Sequence, residues 1–186
     1  MLKRMALQRT ARQVSGLMAK RKGESFERFV VNAARAEKLF VIRIPDGCVQ
    51  RKGKGGRPLL IRVQTPFDFV LIKTGLSVFL DSKTTAGKTF PHSLVKHHQL
   101  ENLLEASKAG PAGYLVYFEA LDQIVFYSAI KLYGLKKGES LKPEDGILLG
   151  GRYTMKFAGM FEHWLNPEGP RQDLNSSFGD DFRSNQ

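Results

Sequence analysis

The sequence predicts an α/β fold, a mixed β-sheet flanked by helices, and three observations carry that prediction. Helical and strand periodicities follow one another in the order helix, three strands, helix, two strands. The strand segments are short apolar runs bounded by Gly, Pro, Asp or Thr, as strands usually are. The length of 186 residues, with 42% hydrophobic and 25% charged side chains, suits one globular core of ordinary size with room for tails.

The first helix is read in GESFERFVVNAARAEKLF from Gly23, where Phe26, Phe29, Val30 and Ala33 share one side and Glu24 to Glu27 form the first turn. Val41 to Ile44 alternates as a strand and is ended by Pro45, Asp46 and Gly47. PFDFVLI and LSVFLDS then flank Lys73, Thr74 and Gly75, which predicts a hairpin with a two-residue turn. After Lys83 the stretch TTAGKTFPHS reads as a loop. SLVKHHQLENLLEASKAG places Leu100, Leu103, Leu104 and Ser107 in helical register and sets a glycine where a C-cap belongs. GYLVYFEA and QIVFYSA complete the sheet as two strands joined by a tight turn at Leu121 and Asp122.

Charge divides the chain further. The net charge is +11 and the isoelectric point about 9.9, which points to a polyanionic partner, with nucleic acid favoured over an anionic membrane surface. Seven of the basic residues lie between Met1 and Gly23, where there is no acid at all. Residues 1–22 therefore read as a flexible DNA-binding arm, with Arg9, Arg12, Lys20, Arg21 and Lys22 as its contacts, able to form an amphipathic helix on a partner. Within residues 46–64 the block RKGKGGR sets Arg51, Lys52, Lys54 and Arg57 among three glycines, as in a basic loop or hairpin tip. The domain proper is expected over 23–165, and 166–186, rich in Pro, Gly, Ser, Asn and Asp, reads as a disordered tail.

Cys48 is the sole cysteine, which excludes a disulfide framework and a cysteine-rich zinc site. No apolar run long enough to cross a bilayer occurs, and none of signal-peptide type follows Lys3 and Arg4. A cytoplasmic protein without a membrane partner is expected.

The chemistry is concentrated in the hairpin. If Lys73 pairs with Leu76, the register puts Asp68 across from Asp81, at a Cβ separation of about 5 Å, and the period of two puts Lys83 on the face of Asp81. Two carboxylates that close repel by roughly 3 kcal/mol at an effective dielectric of 20. One lysine offsets one of them; a divalent cation offsets both, and an all-oxygen donor set suits Mg²⁺, with Mn²⁺ as a substitute, better than zinc. Other motifs fail on spacing. Gly87-Lys88-Thr89 lacks the upstream glycine of a phosphate loop, since Ser82 stands there, and His92, His97 and His98 have no zinc-site spacing.

An Asp, a hairpin turn and Asp81-Ser82-Lys83 resemble the signature of the PD-(D/E)xK nuclease superfamily. Phe90-Pro91, then His97-His98-Gln99 opening a helix, with GESFERFV upstream and GYLVYFE downstream, resemble more narrowly the RecU-type Holliday junction resolvases, over roughly Gly23 to Lys131. The chain departs from that family in having Asp81 where Glu is frequent, Ala112-Gly113 for a pair of glycines, and a basic segment before Thr65 that matches in position alone.

The resemblance implies a restriction-endonuclease-like core and a metal-dependent endonuclease, usually homodimeric, that nicks four-way DNA junctions. It implies Mg²⁺ held by Asp68, Asp81 and the Ser82 carbonyl, with Glu27 or Glu24 completing the shell and Lys83 acting on the attacking water. Thr65 and Gln99 match polar positions near the site, and Lys88, His97 and His98 are expected at phosphates. The alternatives are a flap or duplex nuclease of the same superfamily, or a DNA-binding protein whose nuclease site has lapsed.

Overall fold

The structure is a computed structural model and describes residues 21–45, 47–52, 58–63, 65–73 and 75–165. The expected arm to Lys20, the tail from 166, and Lys54 and Arg57 lie outside these residues. So does Thr74 of the hairpin turn.

Helix α1 covers 21–36 and is followed by β1 (Phe40–Arg43), β2 (Gly47–Lys52), β3 (Pro58–Val63), β4 (Phe69–Lys73), β5 (Leu76–Thr85) and β6 (Phe90–Pro91). Then come α2 (His97–Ala106), β7 (Ala112–Phe118), β8 (Gln123–Ser128), α3 (Ala129–Tyr133), β9 (Ser140–Leu141), β10 (Ile147–Gly150) and α4 (Ala158–Leu165). Six strands form one mixed sheet in the order β1-β4-β5-β7-β8-β10, parallel between β5 and β7 and antiparallel elsewhere. A parallel pair needs a crossover, and α2 supplies it. β2 and β3 form a separate antiparallel ribbon leading into and out of the RKGKGGR segment.

Alternation along the strands divides the core into two layers. Phe69, Leu71, Val78, Leu80, Leu115 and Phe126 face α1 and α4, where Phe26, Val30, Ala34, Met160 and Phe161 meet them. On the other face Tyr114, Val116, Phe118, Val125 and Tyr127 meet Leu100 and Leu103 of α2 and Leu132 of α3. Each fully buried side chain of this size contributes roughly 1.5–3 kcal/mol. The two layers therefore hold the sheet from both sides.

The hairpin has the expected register, with Lys73 opposite Leu76 and Gly75 at a φ of 81° where the turn needs a left-handed residue. Four expectations change. Thr84 and Thr85 still belong to β5 and Phe90–Pro91 form β6, so the stretch after Lys83 is not a plain loop, and β10 pairs beyond β8, so the two expected strands do not complete the sheet. α1 is already helical at Arg21, so Glu24 to Glu27 do not form its first turn, and the helix runs without a break across the expected boundary at Gly23. α2 ends at Ala106 with Ser107 as its C-cap, and Gly110 serves another purpose: a Cβ there would lie 2.3 Å from the Ser77 carbonyl oxygen. The chain needs that glycine to bring the start of β7 alongside β5.

A long-range cap ties α1 to α4. The Glu37 carboxylate accepts the backbone amides of Phe157 at 2.7 Å and Ala158 at 3.1 Å. This satisfies donors that a helix start leaves without partners.

Candidate active site

β5 outruns its neighbour. Its last partner on β4 is Phe69, opposite Leu80, whereas on the β7 side pairing continues to Thr85. From Asp81 onward one edge of β5 therefore has no strand beside it.

Asp68, one residue before β4, fills part of that gap. Its Oδ2 accepts the backbone amide of Ser82 at 2.7 Å and the Ser82 hydroxyl at 2.8 Å, and its own amide donates to the Leu80 carbonyl at 2.9 Å. Phe67 anchors the approach by packing edge-on against Phe79, with ring centroids 5.2 Å apart. Thr65 lies half-buried three residues upstream of Asp68.

Asp81 is fully buried beneath α2. Its Oδ1 accepts the Gln99 amide at 2.7 Å, and its Oδ2 is ion-paired with Lys83. The Lys83 ammonium also lies 5.0 Å from the centre of the Tyr114 ring, whose Cα is the β7 partner of Asp81. Burial pushes the Asp81 carboxyl up to about 7; the Lys83 charge opposes the rise and the Asp68 charge adds to it. Burial, and then the Asp81 charge, also hold the Tyr114 hydroxyl well above its ordinary range.

The site is thus short of positive charge. Two carboxylates and a carbonyl at one strand end, with a buried acid whose carboxyl stays raised although a lysine attends it, fit a hard divalent cation. Among the described residues no three His, Cys, Asp or Glu side chains gather as metal ligands. That donor set matches the usual habit of Mg²⁺, which takes one or two carboxylates and fills its remaining positions with water and substrate phosphate. The Gln99 Oε1 is buried and has no partner among the described residues.

The other expected residues are dispersed. Glu27 is ion-paired with Arg43 of β1, and Glu24 is exposed on α1. Lys88 is exposed in the 86–89 bend, and His97 pairs with Glu101 at 3.1 Å on the surface of α2. Lys22 pairs with Glu119 at 2.7 Å, and Arg21 is exposed on α1 beside it. Arg51 and Lys52 close β2.

Two residues that sequence reasoning passed over belong with the site. Tyr114 underlies Lys83, and Lys96, the N-cap of α2, acts with its charge on Asp81 while its amide donates to the Tyr114 hydroxyl at 3.3 Å. Only Tyr114 left a local signal, as a polar tip in an apolar strand.

No protein-family model matches the sequence, and no curated protein is similar to it at a significant level. Among solved structures the chain is similar to Hjc of Archaeoglobus fulgidus, a Holliday junction resolvase from an archaeal hyperthermophile. The TM-score is 0.49 and the identity 15%, over 68% of this chain and 95% of that one. No helix among the described residues is long and apolar enough to cross a membrane.

Proposed function

We propose that the protein is a Mg²⁺-dependent DNA endonuclease of the PD-(D/E)xK type that nicks four-way junctions as a homodimer, with Mn²⁺ able to replace Mg²⁺. The observation that carries this reading is the Asp81–Lys83 ion pair, held from α2 by Gln99, with the Asp68 carboxylate bonded to the intervening Ser82 amide and hydroxyl. Asp68, Asp81 and the Ser82 carbonyl would hold the cation. When bound, it supplies polarisation of a non-bridging phosphate oxygen and a lower pKa for the attacking water.

The chain's own groups do the positioning. Lys83, steadied by Asp81 and the Tyr114 ring, orients the water or takes its proton and meets the charge that grows on the phosphate. Gln99 fixes the Asp81 carboxylate, and Glu27 is a candidate for a water-mediated contact. The net charge of +11 and the separate β2–β3 ribbon with Arg51 and Lys52 support DNA as the partner. Two cuts on a two-fold junction favour a two-fold dimer.

One observation favours the lapsed-site alternative: Lys83 and Gln99 already satisfy both Asp81 oxygens. The pair of variants Asp68→Ala and Asp68→Asn separates the readings. Both should bind DNA as the parent does and lose at least about 10³ in nicking rate, above the loss of a single oxyanion donor. Asn keeps an acceptor for the Ser82 amide and should leave thermal stability unchanged. A nicking rate equal to the parent's in either variant removes Asp68 from catalysis.

A further inference from the structure

A cleft of about 300 Å³ opens on the opposite face of the sheet, at the same end of β5. Thr84 reaches into it, one residue beyond Lys83 and on the other side of the strand. Lys22 and Ser25 of α1 form one wall, and Glu119 and Arg152 the other. Phe26 and Tyr117 line its apolar part as a stacked pair with ring centroids 5.5 Å apart.

Arg152 is set in place from three sides. Its guanidinium donates to the Ser25 hydroxyl at 3.0 Å, its amide donates to Asp122 at 3.0 Å, and the same Asp122 oxygen accepts the Tyr117 hydroxyl at 3.1 Å. Its side chain makes no ion pair among the described residues, whereas Glu119 is engaged by Lys22. The hydrogen-bonding capacity left over is mostly of donors: the remaining guanidinium and ammonium N–H groups and the Ser25 and Thr84 hydroxyls. An acceptor-rich anion suits such a lining, and the cation count exceeds the lone carboxylate of the wall by one.

The cleft and the catalytic face lie at the same end of β5, Thr84 lining one and Lys83 belonging to the other. Because β4 begins only at Phe69, opposite Leu80, no strand among the described residues pairs with this edge of β5 from Asp81 to Thr85. We propose that the cleft is a second phosphate subsite for the DNA strand being cut, which crosses the open edge of β5 with the scissile phosphate at Asp68, Asp81 and Lys83 and a neighbouring backbone phosphate held by Arg152, Lys22, Ser25 and Thr84. This rests on the nuclease reading of the catalytic face.

The test is a scan of neutral methylphosphonates along the cut strand of a four-way junction, with binding measured in EDTA so that no cleavage is required. The parent should lose about tenfold in affinity when one phosphate beside the nick is neutralised. Arg152→Ala should lose about tenfold on unmodified DNA, flatten the slope of log affinity against log salt by about one, and lose nothing further at that phosphate. Lys22→Gln should show the same pattern more weakly, in case Arg152→Ala disturbs the fold. A scan in which both variants keep the parent's full sensitivity at every phosphate overturns the subsite. Absence of nicks by the parent with Mg²⁺ is a separate result that bears on the catalytic face alone.

Discussion

The two halves of β5 differ in what covers them. Leu76 to Leu80 has β4 on one side, and Val78 and Leu80 are fully buried against the α1 and α4 layer. Asp81 to Thr85 pairs with β7 alone, and on its other side the Ser82 amide and hydroxyl donate to the Asp68 carboxylate. The difference teaches that one strand serves both purposes by outrunning its partner: the paired half fixes the geometry, and the unpaired half presents it.

Substitutions in the two halves should therefore fail in different ways. The largest effect is expected from Lys83→Ala, with nicking reduced by about 10³ while thermal unfolding shifts little, because Asp81 can take up a proton once its lysine is gone. A stability loss as large as that of a core variant would place Lys83 with the first half. Leu80→Ala should cost about 2–5 kcal/mol by denaturant unfolding and leave the nicking rate of the folded fraction near the parent's. Unchanged stability there would break the division.

A smaller effect sharpens the electrostatic side. Asp81 has its carboxyl raised above the ordinary value, so the folded state holds that proton more tightly than the unfolded chain does. Its contribution to stability is present at pH 4 and is lost as the pH rises toward about 7. In EDTA, Asp81→Asn should abolish this decline, so that the parent's melting temperature falls relative to the variant's across that window. Mg²⁺ at pH 8 should restore the parent and leave the variant unmoved. A parent that gains on the variant as the pH rises would reverse the sign and contradict the burial argument.

Charges of the N-terminal segment should act on binding alone. Removing Met1 to Lys20 takes away Lys3, Arg4, Arg9, Arg12 and Lys20 and keeps α1 as described. If all five meet phosphates, the slope of log affinity against log salt should flatten by about four to five. An unaltered slope removes the arm from the interface.

How much of this could be read beforehand follows from how local each cause is. The register that carries Asp68 to the segment Asp81-Ser82-Lys83 was legible because a two-residue turn and a period of two fix it from Lys73 and Leu76 outward. Gln99 came only through the family resemblance. The partner of Glu27 was not legible, because Arg43 lies on another strand and nothing in α1 marks it. Nor was the helical state of Arg21 and Lys22, which end a basic, acid-free run without the usual N-cap signal. β10 and α4 were missed for a similar reason: Gly150 and the turn to Met155 interrupt the apolar pattern, and the cap on α4 comes from Glu37, far back in the chain. The cleft depends on four separate segments, so no local pattern announces it.

The most direct test of the central claim is nicking of a labelled immobile four-way junction beside a matched linear duplex and a flap, each with Mg²⁺ and with EDTA. Paired symmetric nicks on the junction, absent from the duplex and flap and abolished by EDTA, are the predicted result. Tight binding of the junction with no nicks under any metal condition would contradict it and leave the open edge of β5 as a DNA-binding surface.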